Sequence, residues 1–446
     1  MIRHIVLIAI DCLRADHVSS FGYNRPTTPT MDALAEEGVV WRNAHSACSW
    51  TKPAVASMLT GLYPSQHGAF QGIKRSKLRP IVTTDILATT QPTLAETFAS
   101  GGWRCGAFIN NSQLDTFTRI NRGFETYVPR AGKADRLLAQ YNDWLDREED
   151  ARSFAYLHFL EAHWPYKPRR RHMKMFGGDR DTNHFGSFSA RDYARLRRAV
   201  SRGEETLGDD LLVEMIQMYD AAVRRLDGKI KLVLKALKDR GMLDESMIVV
   251  TADHGEEFLE HGMLGHGQSL YDELTHVPLI ARIPDGPQGL VLDHPASLTQ
   301  IPCTLLKAAG LAHSLEGVDL LEPSEFAYGE LQIRNRYTQV MHGRQWKLHR
   351  RIHFNVPQDE DVLGKTPHEL FGAYPSTSTY ELYDLNADPR EQVNLADQAE
   401  AKLNEMIAGL DQWWNGCVQR CAPTGGQDVP IHDEVIRRIR DLGYIG

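Results

Sequence analysis

The amino-acid sequence predicts an α/β fold with a doubly wound, mostly parallel sheet flanked by helices. Short, β-branched apolar runs such as HIVLIAI and MIVVTA alternate with amphipathic stretches of helical length. Strands separated by helices form parallel βαβ units. Strands that are apolar on both faces belong to a sheet that is covered on both sides. With 446 residues, the chain is long enough for one large α/β unit with an appendage.

The predicted elements follow one another along the first part of the chain. HIVLIAI leads to the helical stretch MDALAEEG, TLAETFASGG to the strand RCGAFIN, and the long helical run DAAVRRLDGKIKLVLKALKDRG to the strand MIVVTA, with FAYLHFL as a further strand. We interpret residues 167–205, which include Arg169, Arg170 and Arg171, as a surface insertion. A solvated face is the favoured interpretation of this arginine run, and contact with an acidic substrate is the alternative.

After about residue 325 the sequence changes to polar, strand-like segments. RYTQVMHGRQWKLHRRIHF and TYELYDLNADPREQVNLA are followed by a final helix and the tail DLGYIG. We therefore predict a catalytic domain over residues 1–325. A smaller C-terminal α+β unit, with a short antiparallel sheet and a terminal helix, is predicted over residues 326–446.

Composition and charge argue against several classes of protein. The formal net charge of -8 and the pI near 6.2 lack the basic character of a nucleic-acid binder. The N-terminal apolar run ends at Asp11 and is too short for a membrane span or a secretory signal. The six cysteines show no spacing typical of a metal site. We therefore expect a reduced, cytoplasmic setting.

Polar residues follow the predicted strands at the point where each strand ends. They are Asp11, Asn110 with Asn111, His163, and Asp253 with His254. Ligands bind beyond the carboxyl ends of the strands in open α/β sheets, so we predict the functional site there. Two aspartates and a histidine suit a divalent cation such as Ca²⁺, Mn²⁺, Mg²⁺ or Zn²⁺. The alternative is that each of these residues caps a helix or forms a turn.

The segment WTKPAVASMLTG predicts a short helix that begins near Thr51. Pro53 suits the first turn of this helix and Gly61 suits its end. Thr51 would then lie at the N-terminal pole, where free backbone N–H groups favour an anion. Its hydroxyl becomes a nucleophile once a base or a metal ion takes its proton. The alternative is that Thr51 is a plain N-cap.

Several long stretches of the sequence resemble the sulfatase branch of the alkaline phosphatase superfamily. They are DCLRADH, RPTTPTMDALAEEGVVWRNAHS, WTKPAVASMLTGLYPSQHG, HFLEAHWPY, TADHGEEFLEHGMLGHGQSLYDELTHVPLI and ELYDLNADPREQVNLA, and they occur in the order of the family. The resemblance implies an alkaline phosphatase-like fold and a metal-dependent ester hydrolase. Asp11, Asp253, His254 and Thr51 are the expected metal ligands, and one ion is favoured over two.

The nucleophile position departs from the sulfatase pattern. Family sulfatases oxidise a Cys or Ser in a C-x-P-x-R pattern to formylglycine, whereas this chain has Thr51 at that position and Val55 in place of the arginine. Cys48 lies three residues too early. An unmodified Thr resembles the phosphodiesterase and phosphonate monoester hydrolase relatives. The resemblance therefore implies hydrolysis of phosphodiesters or phosphonate monoesters. Sulfate ester hydrolysis is the alternative, and a phosphotransferase or a binding homologue without activity is less favoured.

Further site residues follow from the resemblance. Asn111 is similar to the donor to a phosphate oxygen in phosphodiesterase relatives, and Lys52 is a second expected substrate-binding residue. His163 and His266 are expected to bind non-bridging oxygens and to protonate the leaving group. His266 is alternatively a ligand of a second ion. Cys12 occupies the position of a second aspartate in sulfatases, so one carboxylate ligand is lost.

Other polar residues in the same stretches are expected to be structural. His17, His67 and His261 belong to this group, and Arg14 is expected to brace the loop around Asp11. The expected partner is a small anionic ester, with neither nucleic acid nor membrane. A homo-oligomer is left open.

Overall fold

A mixed eight-stranded sheet forms the centre of the protein in the computed structural model. The structure describes residues 1–70, 74–75, 82–88, 90–147, 151–179, 181, 183–315, 317–357, 360, 362, 365–420, 429–430 and 436. The strands are β1 (His4–Ile10), β2 (Val39–His45), β3 (Lys74–Arg75), β4 (Val82–Thr84), β5 (Arg104–Ile109), β6 (Thr126–Val128), β7 (Ser153–Phe159), β8 (Ser246–Ala252), β9 (Glu257–Phe258), β10 (Leu264–Gly265), β11 (Leu279–Arg282), β12 (Leu290–Ser297), β13 (Ala327–Ile333), β14 (Arg336–His342), β15 (Trp346–Phe354), β16 (Ser376–Asp384) and β17 (Val429–Pro430). The α-helices are α1 (Pro29–Glu36), α2 (Thr51–Thr60), α3 (Pro64–His67), α4 (Leu94–Ser100), α5 (Ala134–Leu145), α6 (Arg170–Met175), α7 (Ala190–Ser201), α8 (Asp209–Asp239), α9 (Asp272–Thr275), α10 (Ile301–Ala308), α11 (Pro367–Ala373) and α12 (Glu400–Val418).

The order of strands in the central sheet is β12-β2-β11-β8-β1-β7-β5-β6. β1 pairs in parallel with both β7 and β8, and every residue of these three strands is buried. Their largely apolar and fully buried sequences therefore match a sheet that is covered on both faces. β11 runs antiparallel to β8 and β2. The predicted α/β fold with a mostly parallel sheet is confirmed.

The C-terminal part of the chain contains a second, antiparallel sheet with the order β13-β14-β15-β16. Met341, Leu348 and Leu382 of this sheet pack against Met406 and Leu410 of α12. The predicted short antiparallel sheet is confirmed. The tail DLGYIG lies outside the described residues, and the domain division at residue 325 stays a prediction.

The segment 167–205, predicted as a surface insertion, contains α6 and α7. Arg169, Arg170 and Arg171 at its start are all exposed. Within the described part of the chain, the helices lack the combination of length and hydrophobicity that a bilayer span requires.

Candidate active site

The carboxyl ends of neighbouring parallel strands bring the predicted polar residues together. Ile10 of β1 is in register with Phe159 of β7 and Ala252 of β8. The residues that follow β1 and β8, Asp11 and Asp253, therefore lie at the same level of the sheet, and both are fully buried.

Thr51 enters this cluster from the first turn of α2. The N-cap of the helix is Trp50, whose backbone is extended, so the alternative that Thr51 is a plain N-cap is wrong. Gly61 ends the helix with a φ of 74°, a left-handed conformation that glycine adopts without steric cost. The Thr51 hydroxyl donates to Asp11 Oδ2 at 3.5 Å and accepts a hydrogen bond from Asn111 Nδ2 at 3.3 Å. Thr51 is therefore fixed by the strand-end residues that the sequence singles out.

Three of the four predicted metal ligands lie close to the fourth, His254. His254 Nε2 lies 3.3 Å from Thr51 Oγ1, 3.5 Å from Asp11 Oδ1 and 3.6 Å from Asp253 Oδ2. Donor atoms at such separations match ligands about 2.1 Å from one shared ion. Asp253 Oδ2 is buried and accepts no hydrogen bond from the described residues, which is costly for a carboxylate oxygen without a cation. The donor set therefore fits a divalent cation.

The two carboxylates of the cluster differ in their electrostatics. Burial acts to raise the pKa of Asp11, but the nearby His163, His158 and His254 outweigh burial and lower the pKa. Burial and repulsion from Asp11 raise the pKa of Asp253 well above its ordinary value. Two buried carboxylates that repel each other are compatible when a bound cation offsets the repulsion.

Cys12 and His266 form a second group of potential ligands next to the first. Cys12 has a φ of 63°, and its thiol donates to Asp11 Oδ1 at 3.3 Å and lies 3.4 Å from His266 Nδ1. His266 Nδ1 also lies 3.3 Å from Glu256 Oε2. Ligand atoms of Cys12, His254 and His266 lie within 4.8 Å of one another. The preference for one ion over two stays a prediction.

The two candidate acids, His163 and His266, lie side by side. Their ring centroids are 5.1 Å apart, and both side chains are buried. Burial lowers the pKa of His163 and of His266, although Asp11 and Glu256 respectively oppose the shift. His163 Nδ1 is hydrogen-bonded to the backbone oxygen of Trp164. The expected roles of both imidazoles at the leaving group stay predictions.

The two predicted substrate-binding residues have different surroundings. Asn111 is buried in the cluster, and its Nδ2 donates to Asp11 Oδ2 at 2.6 Å. Lys52 is buried and ion-paired with Asp85, and its Nζ also donates to the Asp85 backbone oxygen at 2.9 Å. The charge of Lys52 is thus already balanced by a carboxylate, and its role in substrate binding stays a prediction.

His158 and Glu256 belong to the cluster but were not predicted from the sequence. His158 Nε2 lies 3.3 Å from Asp11 Oδ2, and Tyr156 is hydrogen-bonded to His158 Nδ1 at 2.9 Å. Glu256 contacts His266. A lone histidine inside the apolar run FAYLHFL is the signal that could have pointed to His158. Glu256 lies in the family-like stretch TADHGEE without a feature that separates it from its neighbour Glu257.

The residues expected to be structural have structural partners. His17 Nδ1 lies 2.7 Å from Asp220 Oδ1, His67 Nε2 lies 3.1 Å from Ser57 Oγ, and His261 Nδ1 lies 2.7 Å from Glu273 Oε1. Arg14 forms an ion pair with Asp16 and donates to the backbone oxygen of Glu256 at 3.0 Å. Arg14 therefore connects the loop after β1 to the loop after β8.

One protein family matches most of the chain. The family model described as Sulfatase matches residues 3–311. The chain is 25% identical to a delta 4,5-hexuronate-2-O-sulfatase of Bacteroides thetaiotaomicron over 91% of this chain and 86% of that protein. It is 23% identical to an ulvan-active sulfatase of Formosa agariphila, covering 89% of this chain and 72% of that protein. The crystal structure of a phosphonate monoester hydrolase of Agrobacterium radiobacter superposes on this chain with a TM-score of 0.68 at 20% sequence identity. The superposition covers 96% of this chain and 100% of that one.

Proposed function

The chain belongs to the sulfatase family of ester-hydrolysing enzymes, and we propose that it hydrolyses phosphodiesters or phosphonate monoesters through a covalent intermediate on Thr51. The observation that carries the proposal is the position of the Thr51 hydroxyl, 3.3 Å from His254 Nε2 and within 3.5 Å of Asp11 Oδ2. Formylglycine is an aldehyde, and the methyl group on the β-carbon of threonine prevents oxidation to an aldehyde. Thr51 therefore acts as a hydroxyl nucleophile.

In the first step, Thr51 Oγ1 loses its proton to solvent and attacks phosphorus, oriented by its hydrogen bonds with Asp11 Oδ2 and Asn111 Nδ2. The Oγ1–P bond forms while the bond between phosphorus and the alcohol oxygen breaks. The alcohol leaves with a proton from His163 or His266. Asn111 Nδ2, which lies 3.3 Å from Thr51 Oγ1, donates to a non-bridging oxygen of the transferred group.

In the second step, water attacks phosphorus and gives a proton to the imidazole that protonated the alcohol. The Oγ1–P bond breaks, and Thr51 Oγ1 recovers a proton from solvent as its hydroxyl is restored. A divalent cation held by Asp11, Asp253, His254 and Thr51 supplies positive charge that favours loss of the hydroxyl proton and offsets charge on the transferred group. A threonine ester needs this second displacement at the central atom, whereas a formylglycine hydrate expels its group by collapse to the aldehyde. Phosphoryl and phosphonyl centres suit two successive displacements.

Hydrolysis of sulfate esters is the second candidate function. It is supported by the family match and by the sulfatases among the relatives. It needs the same nucleophile and the same cation, so the two candidates differ in the central atom of the preferred substrate. A phosphotransferase shares the first step, and added alcohols would appear in its products.

The test compares wild type with Thr51→Ala and Thr51→Ser on aryl phosphodiester, phosphonate monoester and sulfate ester substrates. We expect Thr51→Ala to lose at least about a thousandfold in kcat/KM, and Thr51→Ser to retain activity. Cys48→Ala, which removes the buried thiol three residues upstream, is the matched control and should remain active. Full diester activity in Thr51→Ala would contradict the proposal. A dominant kcat/KM on the sulfate ester would favour the second candidate.

We also infer that the substrate is a small anionic ester and that the protein works in a reducing compartment such as the cytoplasm. The described cysteines are free thiols, which suits this setting. Mass spectrometry of the tryptic peptide that contains Thr51 would reveal any modification of the nucleophile.

A further inference from the structure

A basic cavity of about 460 Å³ opens beside His163. Its walls include Asn110, Leu160 and Trp164. Its cationic lining consists of Lys133, Lys167, Arg169 and Arg225. A neighbouring cavity of about 380 Å³ shares Arg169 and Arg225 with it and adds Arg171, Arg224 and Lys229. Positive charge is thus concentrated next to a candidate catalytic histidine in a chain whose net charge is -8.

The cations of the first cavity outnumber the acids in its lining. Among the described residues, Lys133, Lys167, Arg169 and Arg225 form no ion pair, whereas Lys229 and Arg224 of the neighbouring cavity pair with Asp135 and Asp227. Arg225 donates to the backbone oxygen of Lys167 at 2.8 Å. Glu161 is the one acidic residue described in the lining, and its Oε1 accepts the Ala134 N–H. The first cavity therefore carries a net positive charge.

The histidine between these arginines responds to their field. His172 lines the neighbouring cavity together with Arg171, Arg224 and Arg225. Burial and these arginines lower the pKa of His172 to about 4. A positive potential of this kind attracts anions into a cleft.

We propose that this cavity binds an anionic group, a carboxylate or a sulfo or phospho group, on the alcohol part of the ester, so that the preferred substrate carries a second negative charge beyond the scissile bond. The inference rests on the proposed function, because it assigns the cavity to the alcohol. His163 is a candidate proton donor to that alcohol and also lines the cavity, so the departing alcohol would lie next to the cavity. The guanidinium of Arg169 can donate two parallel hydrogen bonds to two oxygens of such an anion.

The neighbouring arginine provides a contrast. Arg170 does not line either cavity and is ion-paired with Asp181. Arg169 and Arg170 are both exposed and adjacent in the chain, but one lines the cavity and the other does not. If this arginine run is only a solvated face, substitution of Arg169 and of Arg170 should have the same effect on activity. If the cavity binds an anion, only substitution of Arg169 should weaken that binding.

The experiment uses matched aryl esters whose leaving group carries either a carboxylate or the neutral carboxamide. We expect wild type to prefer the carboxylate. Arg169→Gln and Lys167→Gln should each lose about two- to fivefold in kcat/KM for the carboxylate alone, the range typical of partly exposed ion pairs. The double variant should lose roughly tenfold if the effects add. Arg170→Gln is the control and should match wild type. A third ester with a sulfonate in place of the carboxylate shows which anion the cavity favours.

An equal loss on the carboxylate and carboxamide esters, or the same loss in Arg170→Gln, would overturn the inference. If no variant hydrolyses any ester, the proposed function fails, and calorimetric titration with sucrose octasulfate tests the cavity independently of turnover. Weaker binding by Arg169→Gln and Lys167→Gln than by Arg170→Gln would retain the cavity as an anion site. Equal binding of sucrose octasulfate by all three variants would show that the cavity is not an anion site.

Discussion

At the scale of single residues, Cys12 is the most informative departure from the family pattern. It adopts a φ of 63°, which is uncommon for a residue other than glycine and is more frequent for Asp and Asn. Its thiol lies 3.3 Å from Asp11 Oδ1 and is fully buried. Burial and the neighbouring carboxylates raise the pKa of the thiol well above its ordinary value, so it stays protonated. A neutral group therefore replaces the carboxylate that the resemblance leads one to expect.

Replacing Cys12 by aspartate is predicted to tighten binding of a divalent cation by about tenfold or more, because a third carboxylate joins Asp11 and Asp253. Cys12→Asn is the control, since it has the same shape and tolerates the same backbone conformation without adding charge. Titration calorimetry with Mn²⁺ measures the affinities. Equal affinities for the two variants would place Cys12 outside the ion's surroundings.

His261 gives a prediction about pH. Its Nδ1 pairs with Glu273 Oε1 at 2.7 Å and its Nε2 with the Glu391 backbone oxygen at 3.1 Å. Burial acts to lower the pKa of His261, but Glu273 outweighs burial and raises the pKa to about 9. Because the pKa is higher in the folded state, the stabilisation is complete below about pH 6.5 and is lost as the pH rises through 9.

We therefore expect the free energy of unfolding of wild type to exceed that of His261→Gln most clearly near pH 7, and the difference to shrink toward pH 10. Burial also raises the pKa of Glu273, so the comparison is confined to pH 7 and above to limit the contribution of this carboxyl to the difference. Urea denaturation of both proteins between pH 7 and 10 gives the difference. If the difference in free energy of unfolding between wild type and His261→Gln grows with pH, the assignment of a raised pKa to His261 is wrong.

At the scale of elements, the loop after β8 is held by a close backbone contact. Gly255 N donates to the Leu274 oxygen at 2.9 Å, and a Cβ at Gly255 would lie 2.0 Å from the Glu273 backbone oxygen. The Gly255 oxygen in turn is 2.8 Å from His254 Nδ1. The position of a predicted metal ligand thus depends on glycine at the next residue.

Gly255→Ala is predicted to destabilise the fold by about 3 kcal/mol, because backbone atoms cannot yield as a flexible side chain would. It should also weaken cation binding, since His254 moves with its neighbour. Gly228→Ala in the middle of α8 is the control, because nothing lies within 4 Å of its added Cβ. That change should stabilise the protein by roughly 0.5–1 kcal/mol. Urea denaturation measures the free energy of unfolding of both variants. An unchanged free energy of unfolding in Gly255→Ala would contradict the steric argument.

The strand ends were predictable from the sequence for a physical reason. Asp11, Asn111 and Asp253 each interrupt an apolar run, and parallel strands deliver such residues to one edge of the sheet. The antiparallel course of β11 was not predictable, because strand pairing joins segments far apart in the chain. The pairing of Lys52 with Asp85 was missed for the same reason, since the two residues lie 33 positions apart.

At the scale of the whole molecule, the cluster joins parts of the chain that are distant in sequence. Asp11 contacts Thr51, Asn111, His158 and His254. The side chains are buried, so their charges interact strongly with one another. Binding of a cation at this point therefore acts on the stability of the folded chain as a whole.

A divalent cation is predicted to raise the thermal unfolding midpoint, and chelation to lower it, because the ion binds the folded cluster and has no equivalent site in the unfolded chain. A free ion concentration a hundred times the Kd stabilises by about 2.7 kcal/mol. Asp253→Asn should remove this response.

Without added ion the variant should unfold no earlier than wild type, since it also removes the repulsion between Asp253 and Asp11. Asp244→Asn, which changes an exposed carboxylate, should respond to the ion as wild type does. Differential scanning calorimetry with Mn²⁺ and with chelator measures all three proteins, and an unchanged ion response in Asp253→Asn would place the cation elsewhere.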